Sequence, residues 1–350
     1  MPMDTRRVQG PDNSKPYLLF AKKKDKSYKD ILSDLVSNGK RRDGRRLDQQ
    51  RRILSGCIAN RVIDPPDLKT GVVTQAKGSA YMELNKTKVI CSVYDPREIP
   101  GKTDYSMNGE LYCEFKFAPF SCITRRGHQH DTEEKEFSLN LKRALEPAVC
   151  RHEFPNFQVD VYAQVIENDG SALAAAITCA GLALADACVP MYDLVTAATL
   201  GIHGDLQFKD PTHEEEMLCS SAPPEGSPSR SYGIITAAYS PTHNQVSEFS
   251  HQGSIDMDTL AAVIPTFTET CHLVYPVIKQ TFKRELEENL LKWYFPPLKC
   301  LSKDSFRRHE ALWTGGPFQE MEKSVILNVA VVDANLIGKD ENFSGGVEIP

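Results

Sequence analysis

At 350 residues, 41% hydrophobic and 25% charged with a net charge of −6, the chain has the composition of an ordinary globular protein. By length it holds either two domains or one core of about 240 residues with tails. It has no 18-residue uncharged apolar run, and its start, with Asp4, Arg6 and Arg7, does not read as a signal peptide, so no membrane partner is expected. Ten cysteines form no C-x-x-C pair and accompany no His-x-x-x-His, which argues against a zinc module or a secreted disulfide framework and for free thiols in a reducing compartment.

The charge is unevenly placed. Residues 1–52 hold 15 Lys and Arg against 7 Asp and Glu, with runs at Lys22-Lys23-Lys24, Lys40-Arg41-Arg42, Arg45-Arg46 and Arg51-Arg52. Such runs suit phosphate contacts or nuclear import, and equally a solvated flexible segment. We read residues 1–52 as a basic, largely flexible extension broken by Pro2, Pro11 and Pro16. One short amphipathic helix is predicted in it, through Tyr28, Ile31, Leu32, Leu35 and Val36. The turn signal Arg42-Asp43-Gly44-Arg45 leads towards the folded part.

A hairpin follows over residues 71–93, turning at Asn85-Lys86, and then a loop over residues 95–110. Gly101-Lys102-Thr103 is not a phosphate-binding P-loop, because the glycine required five residues earlier is Pro96. A strand is predicted at residues 110–117. After a polar loop carrying Arg125, Arg126, His128 and His130 comes a helix over residues 133–149, capped by Asp131-Thr132, with Phe137, Leu141, Leu145 and Val149 on its inner face. The two histidines have no evident third metal ligand.

Residues 159–189 organise the rest. Val159, Val161, Ala163 and Val165 alternate with polar residues as a strand; Asn168-Asp169-Gly170 punctuate it; Ser171 is placed to cap a helix built largely of alanine. A helix so bare suits close approach, so it belongs in the middle of the molecule. Its first turn is a natural anion seat, because free N–H groups and the positive end of the helix dipole converge there. A phosphate-using enzyme would add a fixed cation, yet the chain offers Ser171, Ala172, Leu173 and Ala174, with Leu173 where an arginine would be expected. A second hairpin is predicted at residues 194–209, a polar loop at 210–230, a strand pair at 231–239 and 245–249, and a long helix from Gly253. That helix carries Leu260, Ile264, Phe267, Cys271, Val274 and Ile278 on one stripe, and Pro265 and Pro276 should bend or break it. The layout is α+β, two strand-hairpin-plus-helix halves around a central small-residue helix. Pro296-Pro297 ends it, and residues 296–350, with an apolar segment at 325–332, form a C-terminal extension without a clear pattern.

Several stretches, in this order, resemble the ribonuclease PH family. They are Gly78-Ser79-Ala80-Tyr81 with Thr87-Lys88-Val89, Phe117-Ala118-Pro119-Phe120, Ala144-Leu145-Glu146-Pro147-Ala148-Val149, Asp169-Gly170-Ser171-Ala172-Leu173-Ala174-Ala175-Ala176-Ile177 and Leu182-Ala183-Leu184-Ala185-Asp186-Ala187. The resemblance implies a ribonuclease PH-like domain over residues 53–295. Active members of the family trim RNA from its 3′ end by phosphorolysis. Mapped onto this chain, the family's phosphate-binding Ser/Thr-Arg pair falls on Ala172 and Leu173, its arginine pair before the first long helix on Thr132 and Glu133, and its catalytic Asp near Gly233. The site at Gly170, Ser171, Ala172, Leu173 and Gly233 is therefore expected to be degenerate. The resemblance also implies a non-catalytic subunit of the RNA exosome ring, a hexamer of heterodimers beneath RNA-binding cap subunits. Such a subunit would serve rRNA maturation and mRNA turnover in nucleus, nucleolus and cytoplasm, with no cofactor. Lys77, Arg125 and Arg126 are the expected RNA contacts, and the two arginines could serve a partner's active centre. The competing expectation is a working phosphate-dependent exoribonuclease.

Overall fold

The computed structural model describes residues 32, 35–37, 40–51, 68–99, 105–122, 125–127, 129–222 and 231–294, with side chains as far as residue 285. The chain divides into two units, Met1–Leu286, which carries everything discussed below, and Glu287–Pro350. The Lys22-Lys23-Lys24 run, Tyr28 and Ile31 of the short helix, Gly101-Lys102-Thr103, His128 and residues 296–350 with their apolar segment lie outside the described residues.

Alternating sequence builds the first sheet. After a two-residue hairpin, β1 (Val36–Ser37) and β2 (Lys40–Arg41), come β3 (Leu68–Thr70), β4 (Gly78–Leu84), β5 (Thr87–Glu98), β6 (Glu110–Phe117) and β7 (Phe157–Glu167). They form a five-stranded sheet in the order β3-β4-β5-β7-β6, antiparallel throughout except for the β6–β7 pair. Asn85, at φ 59°, closes the β4–β5 turn. Val89, Cys91, Val93, Val159, Val161 and Val165 are fully buried on the inner face. The strand β5 runs to Glu98, into the stretch predicted as loop; a register shift between Tyr94 and Arg97 lets Pro96 sit in it without a ladder donor.

The helix α1 (Thr132–Leu145) begins as predicted, with the Asp131 N–H donating to Glu134 Oε2 at 3.2 Å. It stops four residues short of Val149: Glu146 still has helical geometry and donates its N–H to the Lys142 carbonyl at 2.9 Å, but Pro147 has no N–H for the next turn. The central helix α2 (Ala172–Asp186) buries 13 of its 15 residues. It packs on β4 and β5 on one side and on β8 (Thr196–His203) and β10 (Tyr232–Ser240) on the other. Small residues permit this: a Cβ at Gly78 of β4 would lie 2.2 Å from the Ala187 nitrogen. Leu173, Ile177, Leu182 and Leu184 supply its apolar area, about 1.5–3 kcal/mol each when fully buried.

The second sheet has the order β11-β10-β8-β9, all antiparallel, with β9 (Leu206–Lys209) and β11 (Gln245–Ser254) at its edges. Its far face is covered by α4 (Met257–Tyr294) through Val263, Phe267 and Cys271. Gly253 and Ser254 extend β11 instead of starting that helix. The buried stripe runs through Val263, while Ile264, expected on it, is 46% exposed. α4 breaks at neither Pro265 nor Pro276; burial of Phe267, Cys271 and Ile278 offsets the roughly 3 kcal/mol that an interior proline costs. Among the described residues no helix is long and apolar enough to cross a membrane.

Two further corrections bear on the site. The segment predicted as a loop at residues 210–230 contains a helix, α3 (His213–Cys219), capped by Thr212, whose backbone N–H donates to Glu215 Oε2 at 2.9 Å. Residues 40–51, assigned to the flexible extension, are anchored to the fold by two buried arginines, although most of the segment is exposed. Arg41 and Arg51 are 2% and 4% exposed. Arg41 faces Glu215 at 3.4 Å, and burial lowers its pKa to about 10. Arg51 donates to the carbonyls of Leu84, Asp169, Gly170 and Pro211 and to Thr87 Oγ1, tying the β4–β5 turn to the approach to α2 and to the segment before α3. These arginines serve architecture rather than phosphate.

Candidate functional site

A cavity of about 1200 Å³ opens where the two halves meet around the first turn of α2. Its walls come from the end of β6 and the loop after it, the start of α1, Ser171, Ala172 and Leu173 of α2, α3, and the inner faces of β8, β10 and β11. Of the residues singled out in the sequence, the fold gathers Arg125, Arg126, Glu133, Ser171, Ala172 and Leu173 around this space.

The anion seat is present, and one of its N–H groups is taken from within. Ser171 adopts a left-handed conformation, φ 54°, and its hydroxyl does not cap the helix; Ser171 Oγ donates to the Pro211 carbonyl at 3.2 Å. Its N–H instead donates to Glu216 Oε1 at 2.6 Å. The carboxylate of α3 thus stands where an incoming anion would meet the helix dipole. Burial raises the Glu216 carboxyl to about 7, with the Ser171 N–H and the Arg51 charge opposing that rise. Leu173, 6% exposed, adds a wall without a charge.

The arginines divide. Arg126 is held on three sides, with Nη2 2.8 Å from Glu133, Nη1 3.4 Å from Asp131, and the guanidinium 4.4 Å over the Phe117 ring. Its charge is spent locally, and Glu133 acts as its partner. Arg125 is exposed and pairs with no described residue. His130 bridges Glu114 at 3.0 Å and Glu134 at 3.5 Å, and no metal-holding cluster occurs among the described residues.

Other positions fall away from the cavity. Gly233 does not line it; Ile234 and Thr236 do, since neighbouring strand residues point to opposite faces. A Cβ at 233 would lie 2.4 Å from the Gln252 carbonyl of β11, so an acid at that position would not project into the space. Gly170, at φ 91°, sits behind the wall, where a Cβ would meet the Pro211 carbonyl at 2.5 Å. Lys77 lies before β4, paired with Asp95 at 3.7 Å and outside the lining. Sequence reading missed Glu216. The signal for its helix was present: Thr212-x-x-Glu215 is a capping box directly after Pro211.

A two-sheet fold around a buried small-residue helix, with a cleft at that helix's first turn, defines a class. Residues 63–190 match the model of RNase PH, the 3′ exoribonuclease family, domain 1. Human exosome complex component MTR3 is 34% identical over 300 residues, covering 81% of this chain and 96% of that protein. The chain belongs to this 3′ exoribonuclease family. Its fold is shared with rice Rrp46 (TM-score 0.55, 21% identity, 69% of this chain and 100% of that one). It is shared too with a chain of the Archaeoglobus fulgidus exosome with RNA bound to the active site (TM-score 0.56, 19% identity, 70% and 95%).

Proposed function

We propose that this chain is a non-catalytic ring subunit of the RNA exosome. In this reading it pairs with another RNase PH-like chain, helps close a hexameric ring beneath RNA-binding cap subunits, and supports 3′-to-5′ RNA processing and degradation in nucleus, nucleolus and cytoplasm. The relative named as an exosome component supports the assembly. One observation carries the absence of catalysis: the N–H of Ser171 at the start of α2 is taken by Glu216 Oε1 at 2.6 Å. Phosphorolysis needs inorganic phosphate held by cations and N–H donors while it attacks the terminal phosphodiester. Here Glu216 takes one N–H of that seat, Leu173 supplies no charge, and Arg126 is neutralised by Glu133 and Asp131. Arg125, exposed at the rim and without an ion pair among the described residues, favours a second role, contact with RNA phosphate or with the active centre of a ring neighbour.

The test is phosphate-dependent release of nucleoside diphosphates from a 3′-labelled RNA, by the purified chain and by the chain mixed with its ring partners. No release by the chain alone is expected. Release by the chain alone overturns the reading, and release only in the mixture that falls on changing Arg125 assigns the arginine to a partner's site.

A further inference from the structure

The outer face of the first sheet carries a cluster that the cavity does not use. α1 and α2 pack on the inner face of this sheet. Strand alternation sends Ser92 and Tyr94 of β5, Asp160 and Tyr162 of β7, and Tyr112 and Glu114 of β6 to the other side. Solvated sheet faces are ordinarily polar, yet Tyr94 and Tyr112 are 39% and 42% exposed. Tyr162 stands between them, its ring 5.7 Å from that of Tyr94 at 81° and 6.2 Å from that of Tyr112 at 64°. Tyr94 and Tyr112 each lie opposite Asp160, whose buried carboxylate accepts from Gln158 Nε2 at 2.6 Å and faces Arg97 Nε at 2.7 Å. Arg97 is thereby fixed, half-exposed, in the wall of a pocket of about 520 Å³ lined by Ser92, Tyr94, Asp95, Arg97, Asp160 and Tyr162. A second cation, Lys77, stands beside it, 3.7 Å from Asp95, with both side chains exposed.

We propose that this pocket is an RNA contact separate from the cavity, which stacks one or two bases of a single strand on Tyr94 and Tyr162 and sets the flanking phosphates against Arg97 and Lys77. Two rings meeting near a right angle form a corner that a flat base fills, face against one tyrosine and edge against the other. Asp95, exposed at the rim, can accept from a base amine or a ribose hydroxyl. The charges favour a nucleic acid over a basic peptide. Lys77, Arg97 and Asp95 reach solvent, while Asp160 is spent on Arg97 and Gln158, so a peptide cation would meet two cations against one carboxylate. Glu98, Glu110 and Glu114 line no part of the pocket; the last two belong to β6, one strand further away, and Glu114 faces His130 at 3.0 Å. Because the balance is nearly even, stacking supplies most of the affinity and salt weakens it little. The inference goes beyond the ring reading: none of these residues lines the cavity, and every wall of the pocket comes from this chain.

The purified full-length chain is crosslinked by ultraviolet light to a short single-stranded oligouridylate carrying thiouridine, the crosslinks are mapped by mass spectrometry, and affinity is measured by fluorescence anisotropy. Crosslinks at Tyr94 or Tyr162 are expected. Tyr94→Ala should bind about fivefold or more weaker at an unchanged melting temperature, whereas Tyr94→Phe, which keeps the ring, should bind as wild type does. The slope of log affinity against log salt should be no steeper than about −1.4, the value for two phosphates on a single strand. Crosslinks confined to the cavity lining, with Tyr94→Ala at full affinity, overturn the inference, as does failure of the chain to bind the oligonucleotide. Crosslinks at Tyr94 that vanish in the assembled ring, with slowed hydrogen exchange in β5 and β7, assign the face to a protein partner and overturn it as well.

Discussion

Replacing Glu216 by glutamine isolates the cost of holding a carboxylate in the anion seat. The amide keeps an acceptor for the Ser171 N–H, now 2.6 Å from Oε1, and removes the charge. Burial raises the folded pKa from 4.5 to about 7. Between those values the native state holds a proton that the unfolded chain releases, so the group is without penalty below about pH 4.5 and progressively destabilising as pH climbs to about 7. The full penalty above that range is on the order of 3 kcal/mol, from about 1.4 kcal/mol per pKa unit. Urea midpoints of wild type and Glu216→Gln at pH 5, 6, 7 and 8 measure it. The other carboxyls raised by burial, Asp186, Asp210, Glu248 and Glu285, are common to both proteins and cancel in the difference. The variant should gain on wild type by up to about 3 kcal/mol as pH rises, levelling off above pH 8. A difference that stays flat with pH, or shrinks, refutes the placement of Glu216 as an ionising group pressed against the start of α2.

Arg51→Ala removes a guanidinium that serves four carbonyls and one hydroxyl, and should cost about 3–5 kcal/mol in chemical denaturation. A loss below about 1 kcal/mol would show the clamp to be idle. Gly78→Ala forces a methyl against the Ala187 backbone 2.2 Å away, and thermal unfolding should report about 1–3 kcal/mol of destabilisation or more as β4 is pushed from α2. Arg125→Glu, at an exposed rim position, should leave the melting temperature unchanged while weakening RNA binding by the assembled ring and flattening its dependence on salt. Unchanged RNA affinity across a salt titration would count against an RNA contact there. Arg126→Glu is a poorer probe, since it would also break the pairs with Glu133 and Asp131.

Local pattern carried much of this fold. The period-two alternation of Val159, Val161, Ala163 and Val165 and the alanine-rich run after Ser171 mark a strand and a buried helix, because side-chain direction and bulk are properties of the residues themselves. The same holds for α1, whose start is written in Asp131 and Glu134 and whose end is written in Pro147. What tertiary structure decided is where the charges went. Arg41, Arg45, Arg46 and Arg51 read identically in a basic run, yet Arg41 and Arg51 are buried among carbonyls and carboxylates more than a hundred residues away. The partner of the Ser171 N–H is 45 residues on, in a helix that an acidic, proline-flanked segment concealed. Alternation predicts that Gly233 and Ile234 face opposite ways, but only the second sheet's register shows which of them meets the cavity. Short-range periodicity fixes the elements because it acts through backbone geometry. The site was settled by electrostatic pairing across long loops, whose closure costs little more for a hundred residues than for fifty and leaves no local trace.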